Sequence, residues 1–215
     1  MLNVNETYEQ FKNENPELEA FCGSDVMKAY ELCAEAYENG CKLMTCGNGG
    51  SAADAEHIVG ELMKGFVLQR PLPKEEIQTL EELFGEEGKD LGEKLQGSMP
   101  AIALTGGLSL TTAFANDVAP ENGFAQQVYG YGNKGDVLIA LSTSGNSKNV
   151  IQAVRIAKLK GVKTIAITGE KDSKLSALCD VTVKMPSTKT YRIQEFTLPV
   201  YHVLCAMLEA KFFNE

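Results

Sequence analysis

The segment Cys46-Gly47-Asn48-Gly49-Gly50-Ser51-Ala52-Ala53-Asp54-Ala55-Glu56-His57 constrains the fold more than any other part of the chain. An apolar run, CKLMTC at 41–46, ends there in a glycine-rich turn that opens directly into a helical pattern. Strand, tight turn and helix in that order make the first unit of an α/β protein, and the turn is where such proteins hold the anionic part of a small ligand. Gly49 and Gly50 allow the backbone to come close to that ligand. Further on, His57 and Glu61 stand at i and i+4, so both side chains leave one helix face just beyond the turn.

The rest of the chain repeats the rhythm. Four more runs of strand length lie at 101–105 (AIALT), 136–142 (DVLIALS), 162–168 (VKTIAIT) and 180–185 (DVTVKM). Three of them hold four or more consecutive apolar residues or lack polar alternation, as parallel strands buried on both faces require. Helical patterns separate them, including 147–160, which stops at Gly161. The pattern predicts a doubly wound α/β fold around a five-stranded parallel sheet. Ahead of the first strand, 5–21 reads as helical with a break near Asn15-Pro16. A second helix is expected with Ser24 as N-cap and Gly40 as its stop. The final helix, about 189–213, is apolar over several faces, and Pro199 is expected to kink it or change its register.

Residues 68–98 interrupt this order. They carry no strand signal, and Ile77, Leu80, Leu83 and Phe84 form a helical stripe. Between Lys74 and Lys94 eight acidic residues face three lysines, a net charge of 3 − 8 = −5. The segment is expected to be a solvated helical excursion, or else a lid or oligomer contact beside the site.

With 215 residues and 44% hydrophobic content the chain can bury a full core, so one domain spanning 1–215 is expected, with a helical segment at 1–40. The net charge of −9, without any basic run to offset it, argues against a nucleic-acid or anionic-membrane partner. Six cysteines contain no C-x-x-C and fit small buried thiols of a reducing compartment. No signal-peptide pattern or membrane-length apolar run is found, which places the protein in the cytoplasm.

A second ligand loop follows the 136–142 run. Ser142-Thr143-Ser144-Gly145-Asn146-Ser147 supplies four hydroxyls and a glycine at a strand-to-helix turn, with Lys148-Asn149-Val150 opening the helix. Side-chain O–H and backbone N–H donors together suit the acceptor oxygens of a phosphate.

Taken in order, GNGGSAADAEH-x3-E, Asn116-Asp117, STSGNS and RIQE-x6-H resemble the sugar isomerase (SIS) domain family, and within it the phosphoheptose isomerases. The likeness covers most of residues 24–212 once the insert is removed. It implies an aldose–ketose isomerase that converts sedoheptulose 7-phosphate to D-glycero-D-manno-heptose 7-phosphate. It also implies zinc, or another divalent ion, on the positions of His57, Glu61, Gln194 and His202. Asn48, Gly49, Gly50 and Ser51 would lie along the sugar, Asn116 and Asp117 on its hydroxyls, and Ser142, Thr143, Ser144 and Ser147 on the phosphate. A homotetramer with sites at subunit interfaces is implied as well.

The chain's only two histidines occupy two of the four metal positions. Gln194 and His202 are eight residues apart, about 80° out of alignment on a straight helix. Moving a carbonyl from C2 to C1 through an enediol needs a base and a partner for the oxygens, here Glu61 and His202. A carboxylate bound to a cation is a weaker base, so Glu61 should bind through one oxygen or leave when substrate arrives. Arg192 is a candidate to neutralise phosphate, or else a structural ion-pair residue. The insert and the turn Thr105-Gly106-Gly107-Leu108 depart from the family pattern at the sugar end, which leaves another phosphosugar open as substrate. A non-catalytic SIS module that senses a sugar phosphate or binds a protein, and a lyase or etherase acting on an amino-sugar phosphate, are the competing readings. An adaptor has no use for the four metal positions together.

Overall fold

The computed structural model describes residues 3–214. Helix α1 (Val4–Glu14) is capped by Asn3, whose side chain accepts from the Glu6 amide. Helix α2 is continuous over Pro16–Glu38. Ser24 is therefore internal to α2 and not an N-cap: Pro16 fits the first helical position, where its missing N–H costs nothing, and the break falls at Asn15.

Strand β1 (Leu43–Cys46) leads into α3 (Gly50–Met63). Helices α4 (Lys74–Phe84) and α5 (Glu86–Lys94) form the excursion expected at 68–98. Then come β2 (Ala101–Ala103), α6 (Leu108–Asp117) and, after a 3-10 turn at Pro120–Asn122, α7 (Gly123–Tyr131). The series closes with β3 (Val137–Leu141), α8 (Lys148–Lys160), β4 (Lys163–Gly169), α9 (Lys174–Leu178), β5 (Val181–Met185) and α10 (Thr190–Phe212). Pro199 lies inside α10 without ending it.

The five strands are parallel, in the order β2-β1-β3-β4-β5. Their side chains divide the core by the two-residue period of a strand. Leu43, Val137, Ile139, Ile165 and Val183 face one layer with α2, α3 and α10. Met44, Cys46, Leu138, Ala140 and Ala166 face the other, with α7 and α8.

The chain leaves β1 for one edge of the sheet and later leaves β3 toward the opposite edge, with α3 on one face and α8 on the other. The gap between the carboxyl ends of β1 and β3 is therefore the topological switch point, where open α/β sheets bind ligands. All six cysteines are free, and burial pushes the Cys46 thiol up to about 12, so it is inert as a nucleophile at neutral pH. Among the described residues no helix is long and apolar enough to cross a membrane.

Candidate active site

Both sequence-predicted loops border the switch point, and a reciprocal amide pair ties them together. Asn48 Nδ2 donates to Asn149 Oδ1 at 2.9 Å, and Asn149 Nδ2 returns a bond to Asn48 Oδ1 at 2.8 Å. Asn149 Oδ1 also accepts from the Val150 amide at the start of α8. In the sequence Asn149 stands out only as a helix-opening residue; an amide facing another across two turns has no local signature.

The serine loop forms a cup. Ser142 Oγ and Ser147 Oγ are 2.9 Å apart, with Ser142 buried. Gly145 takes φ +63°, and a Cβ there would run into the Ser173 hydroxyl, so both backbone and neighbour demand glycine. Thr143 and Ser144 line a recess of about 280 Å³ with Asn146, Lys171 and Thr188. Lys171 has no carboxylate within ion-pair distance among the described residues. Arg192 is committed elsewhere: it donates to Glu195 at 2.7 Å and stacks on Phe196.

Helix α10 runs beside α3 in the same direction. The Gln194 amide sits on Gly50, where a Cβ would collide with it, and further along both helices Tyr201 and His202 meet His57. This brings Gln194 against the mouth of the glycine turn and His202 against the α3 face that carries His57 and Glu61. The Glu61 carboxylate is nearly buried, with Oε1 2.9 Å from His57 Nε2 and Oε2 3.3 Å from Lys64 Nζ. The two imidazoles lie edge to face at 5.1 Å. Burial, helped by the His57 ring and opposed by Glu61, lowers the His202 pKa and keeps it neutral at neutral pH. Its Nε2 is buried without a hydrogen-bond partner.

Asp54 and Tyr201 complete the cluster, and neither carries a signal in the sequence that singles it out. The Tyr201 hydroxyl is 2.8 Å from His57 Nδ1. Burial raises both the Asp54 carboxyl and the Tyr201 phenol, the Asp54 charge adding to the latter.

Among the described residues no three His, Cys, Asp or Glu side chains are already arranged around a metal position. His57 Nε2 and Glu61 Oε1 face each other at 2.9 Å. The donors nonetheless suit a divalent ion in kind, with two imidazoles, a carboxylate and an amide oxygen, and the open His202 Nε2 is an unclaimed member of that set. Asn116 and Asp117 are hydrogen-bonded to each other at the exposed end of α6 and make no side-chain hydrogen bond to this cluster. Thr105, in the atypical turn, donates to Glu56 of α3 at 3.0 Å.

The sequence matches the SIS domain over residues 97–210 and again over 8–88. It is 41% identical to a phosphoheptose isomerase of a Nitratiruptor species, covering 84% of this chain and 83% of that protein. It is 38% identical to one from Aneurinibacillus thermoaerophilus over 84% and 78%. Among solved structures, the phosphoheptose isomerase from Neisseria gonorrhoeae superposes with a TM-score of 0.73 at 31% identity, covering 94% of this chain and 95% of the other. The chain therefore belongs to the SIS domain family, and within it to the isomerases of the phosphoheptose isomerase type.

Proposed function

We propose that the chain is a metal-dependent aldose–ketose isomerase acting on a phosphosugar, with sedoheptulose 7-phosphate and D-glycero-D-manno-heptose 7-phosphate as the pair it interconverts. The observation that carries this reading is the meeting of His57, Glu61 and His202 beside two donor-rich loops at the switch point. The whole of 1–215 acts as one SIS domain, working in the cytoplasm as a homotetramer with sites at subunit interfaces.

The phosphate is held by Ser142, Thr143, Ser144 and Ser147 and by the amides at the start of α8 other than that of Val150, where the positive end of the helix favours an anion. The sugar then extends over Asn48, Gly49, Gly50 and Ser51 toward Glu61 and Gln194, with Asn116 and Asp117 serving its hydroxyls. Glu61 takes the proton from one of the two carbons and returns it to the other through the enediol. Its near-complete burial favours that exchange over exchange with solvent. His202, neutral at rest, accepts a proton from a sugar hydroxyl and gives it to the carbonyl oxygen when its Nε2 lone pair is not committed to a cation. A zinc or other divalent ion held by His57, Glu61, Gln194 and His202 would polarise the carbonyl and its neighbouring hydroxyl.

Metal analysis of the purified protein, paired with turnover of ketose 7-phosphates, tests the whole reading, and absence of both metal and turnover defeats it. Glu61→Gln tests the base: the rate is expected to fall by about 10²–10⁴. A variant that kept substantial isomerase activity would remove Glu61 from that role. Light scattering is expected to give a tetramer, and a monomer contradicts the assembly.

A further inference from the structure

We propose that the α4–α5 hairpin of one copy of this chain docks in an apolar groove between α6, α7 and α8 of a second copy, reciprocally about a two-fold axis. The inference rests on the proposed tetramer and deepens it by naming the surfaces of one of its contacts.

The hairpin lacks a third layer. No residue of α4 is buried, and in α5 only Gly88 and Gly92 are. A Cβ on Gly88 would run into the Leu80 backbone and one on Gly92 would crowd Ile77 and Leu80, so the two helices meet almost backbone to backbone. Large apolar groups stand outside this seam: Leu83 and Phe84 are 66% and 63% exposed, and Leu91 is 48% exposed. Helices of 11 and 9 residues with so little burial are marginal by themselves, and exposed apolar groups gathered on one small element mark a contact surface.

The groove supplies the complement. Its volume is about 470 Å³, and it is lined by Phe114 of α6, Ala125 and Tyr129 of α7, and Arg155 and Ile156 of α8. Arg155 donates to Gln152, and Lys160 lies 5.2 Å from the Tyr129 ring; neither has a carboxylate within ion-pair distance among the described residues. Uncommitted cations beside an apolar groove are the exception on a chain of net charge −9, and residues 74–94 alone carry −5. Lys89 and Lys94 pair with Glu81 and Asp90, which leaves 8 − 2 = 6 hairpin carboxylates without a lysine among the described residues. Charge complementarity therefore matches hairpin to groove, and Tyr129 and Arg155 are of the residue types that interfaces favour.

The chain's own hairpin does not fill this groove. Its root is pinned by the Pro71–Gln96 bridge, and it packs extensively only against itself. It leaves α3 on one face of the sheet, whereas α7 and α8 cover the other. A second copy must supply the hairpin, and a two-fold arrangement closes the contact without leaving a spare hairpin and a spare groove. Docking also covers Phe114 and so anchors α6, none of whose residues is buried in the single chain.

The test is a cycle of variants followed by sedimentation of the full chain. Phe84→Ser and Arg155→Glu alter exposed side chains, one on each surface, away from both ligand loops and the metal positions. Each is expected to raise the dissociation constant of the assembly by about 10-fold or more. Combining them is expected to add little to the larger single effect, because both break one contact. Likewise, in protein whose residues 74–94 are replaced by a Gly-Ser turn, Arg155→Glu is expected to have no further effect. Single effects that multiply in the double variant, or an Arg155→Glu effect that persists without the hairpin, overturn the proposal, since the groove then serves something else. An assembly that none of the variants changes also overturns it and leaves the tetramer standing on other surfaces, whereas wild type that is monomeric at every concentration removes both.

Discussion

The Arg70 guanidinium and the Glu209 carboxylate meet at 2.7 Å with neither side chain exposed to solvent. Glu209 also accepts from the amides of Phe66, Val67 and Leu68, while Arg70 donates to the carbonyls of Leu62 and Glu61. The pair therefore satisfies the open end of α3, fastens the chain that leaves it, and ties both to α10. Glu61, the proposed base, stands on the turn that this strut holds.

Removing one partner strands a buried charge. Arg70→Met and Glu209→Gln are each expected to destabilise the protein by about 3–5 kcal/mol, read from denaturant unfolding. Combining Arg70→Met with Glu209→Leu is not expected to restore stability, because the three amides would still lack an acceptor. Recovery to wild-type stability in the double variant would show that the pair matters only as an ion pair.

The Asn48–Asn149 pair is an exposed contact between the two ligand loops, so its loss should affect binding more than folding. Two hydrogen bonds of about 0.5–1.5 kcal/mol each set the scale. Asn149→Ala is expected to weaken substrate by roughly 5- to 10-fold at nearly constant melting temperature, since exposure puts the loss at the low end of that range. A KM within twofold of wild type would make the pair a surface detail.

Much of this arrangement was legible in the chain. Strand runs buried on both faces, such as Val137–Leu141, announced a parallel sheet, and the Gly47–Ser51 and Ser142–Ser147 turns followed strands as expected. What the sequence hid are contacts made by residues with ordinary local roles. Tyr201 and Glu209 read as part of a helix apolar on several faces, and Arg70 as a residue of an acidic excursion. Ser24 misled because a serine before an apolar stripe looks like a cap, whereas Pro16 had already started the helix.

The lowered His202 pKa gives a signed pH dependence for metal-free protein. The unfolded histidine, near 6.5, binds a proton at a higher pH than the folded one. This contribution to stability is therefore full above about pH 6.5 and declines as pH falls through that value toward the folded pKa. Melting temperature is expected to fall on acidification from about pH 7 to 5, and less so in His202→Gln. An identical decline in both proteins would assign the effect to the carboxylates.

The α4–α5 hairpin packs extensively only against itself. Its two ends are already joined, through the Pro71–Gln96 bridge, the Gly97 amide on the Arg70 carbonyl and the Gln96 side chain on the Gly65 amide. Leu83, Phe84, Leu91 and Leu95 of this region are exposed, so it contributes little to the main core. Replacing residues 74–94 by a short Gly-Ser turn is thus expected to leave the melting temperature within a few degrees of wild type, because closing so short a span costs little chain entropy. Turnover in the same variant then distinguishes the two expectations for the segment. Unchanged kcat and KM would make it a solvated excursion, whereas a drop in activity without loss of stability would make it a lid or an oligomer contact at the sugar end of the site.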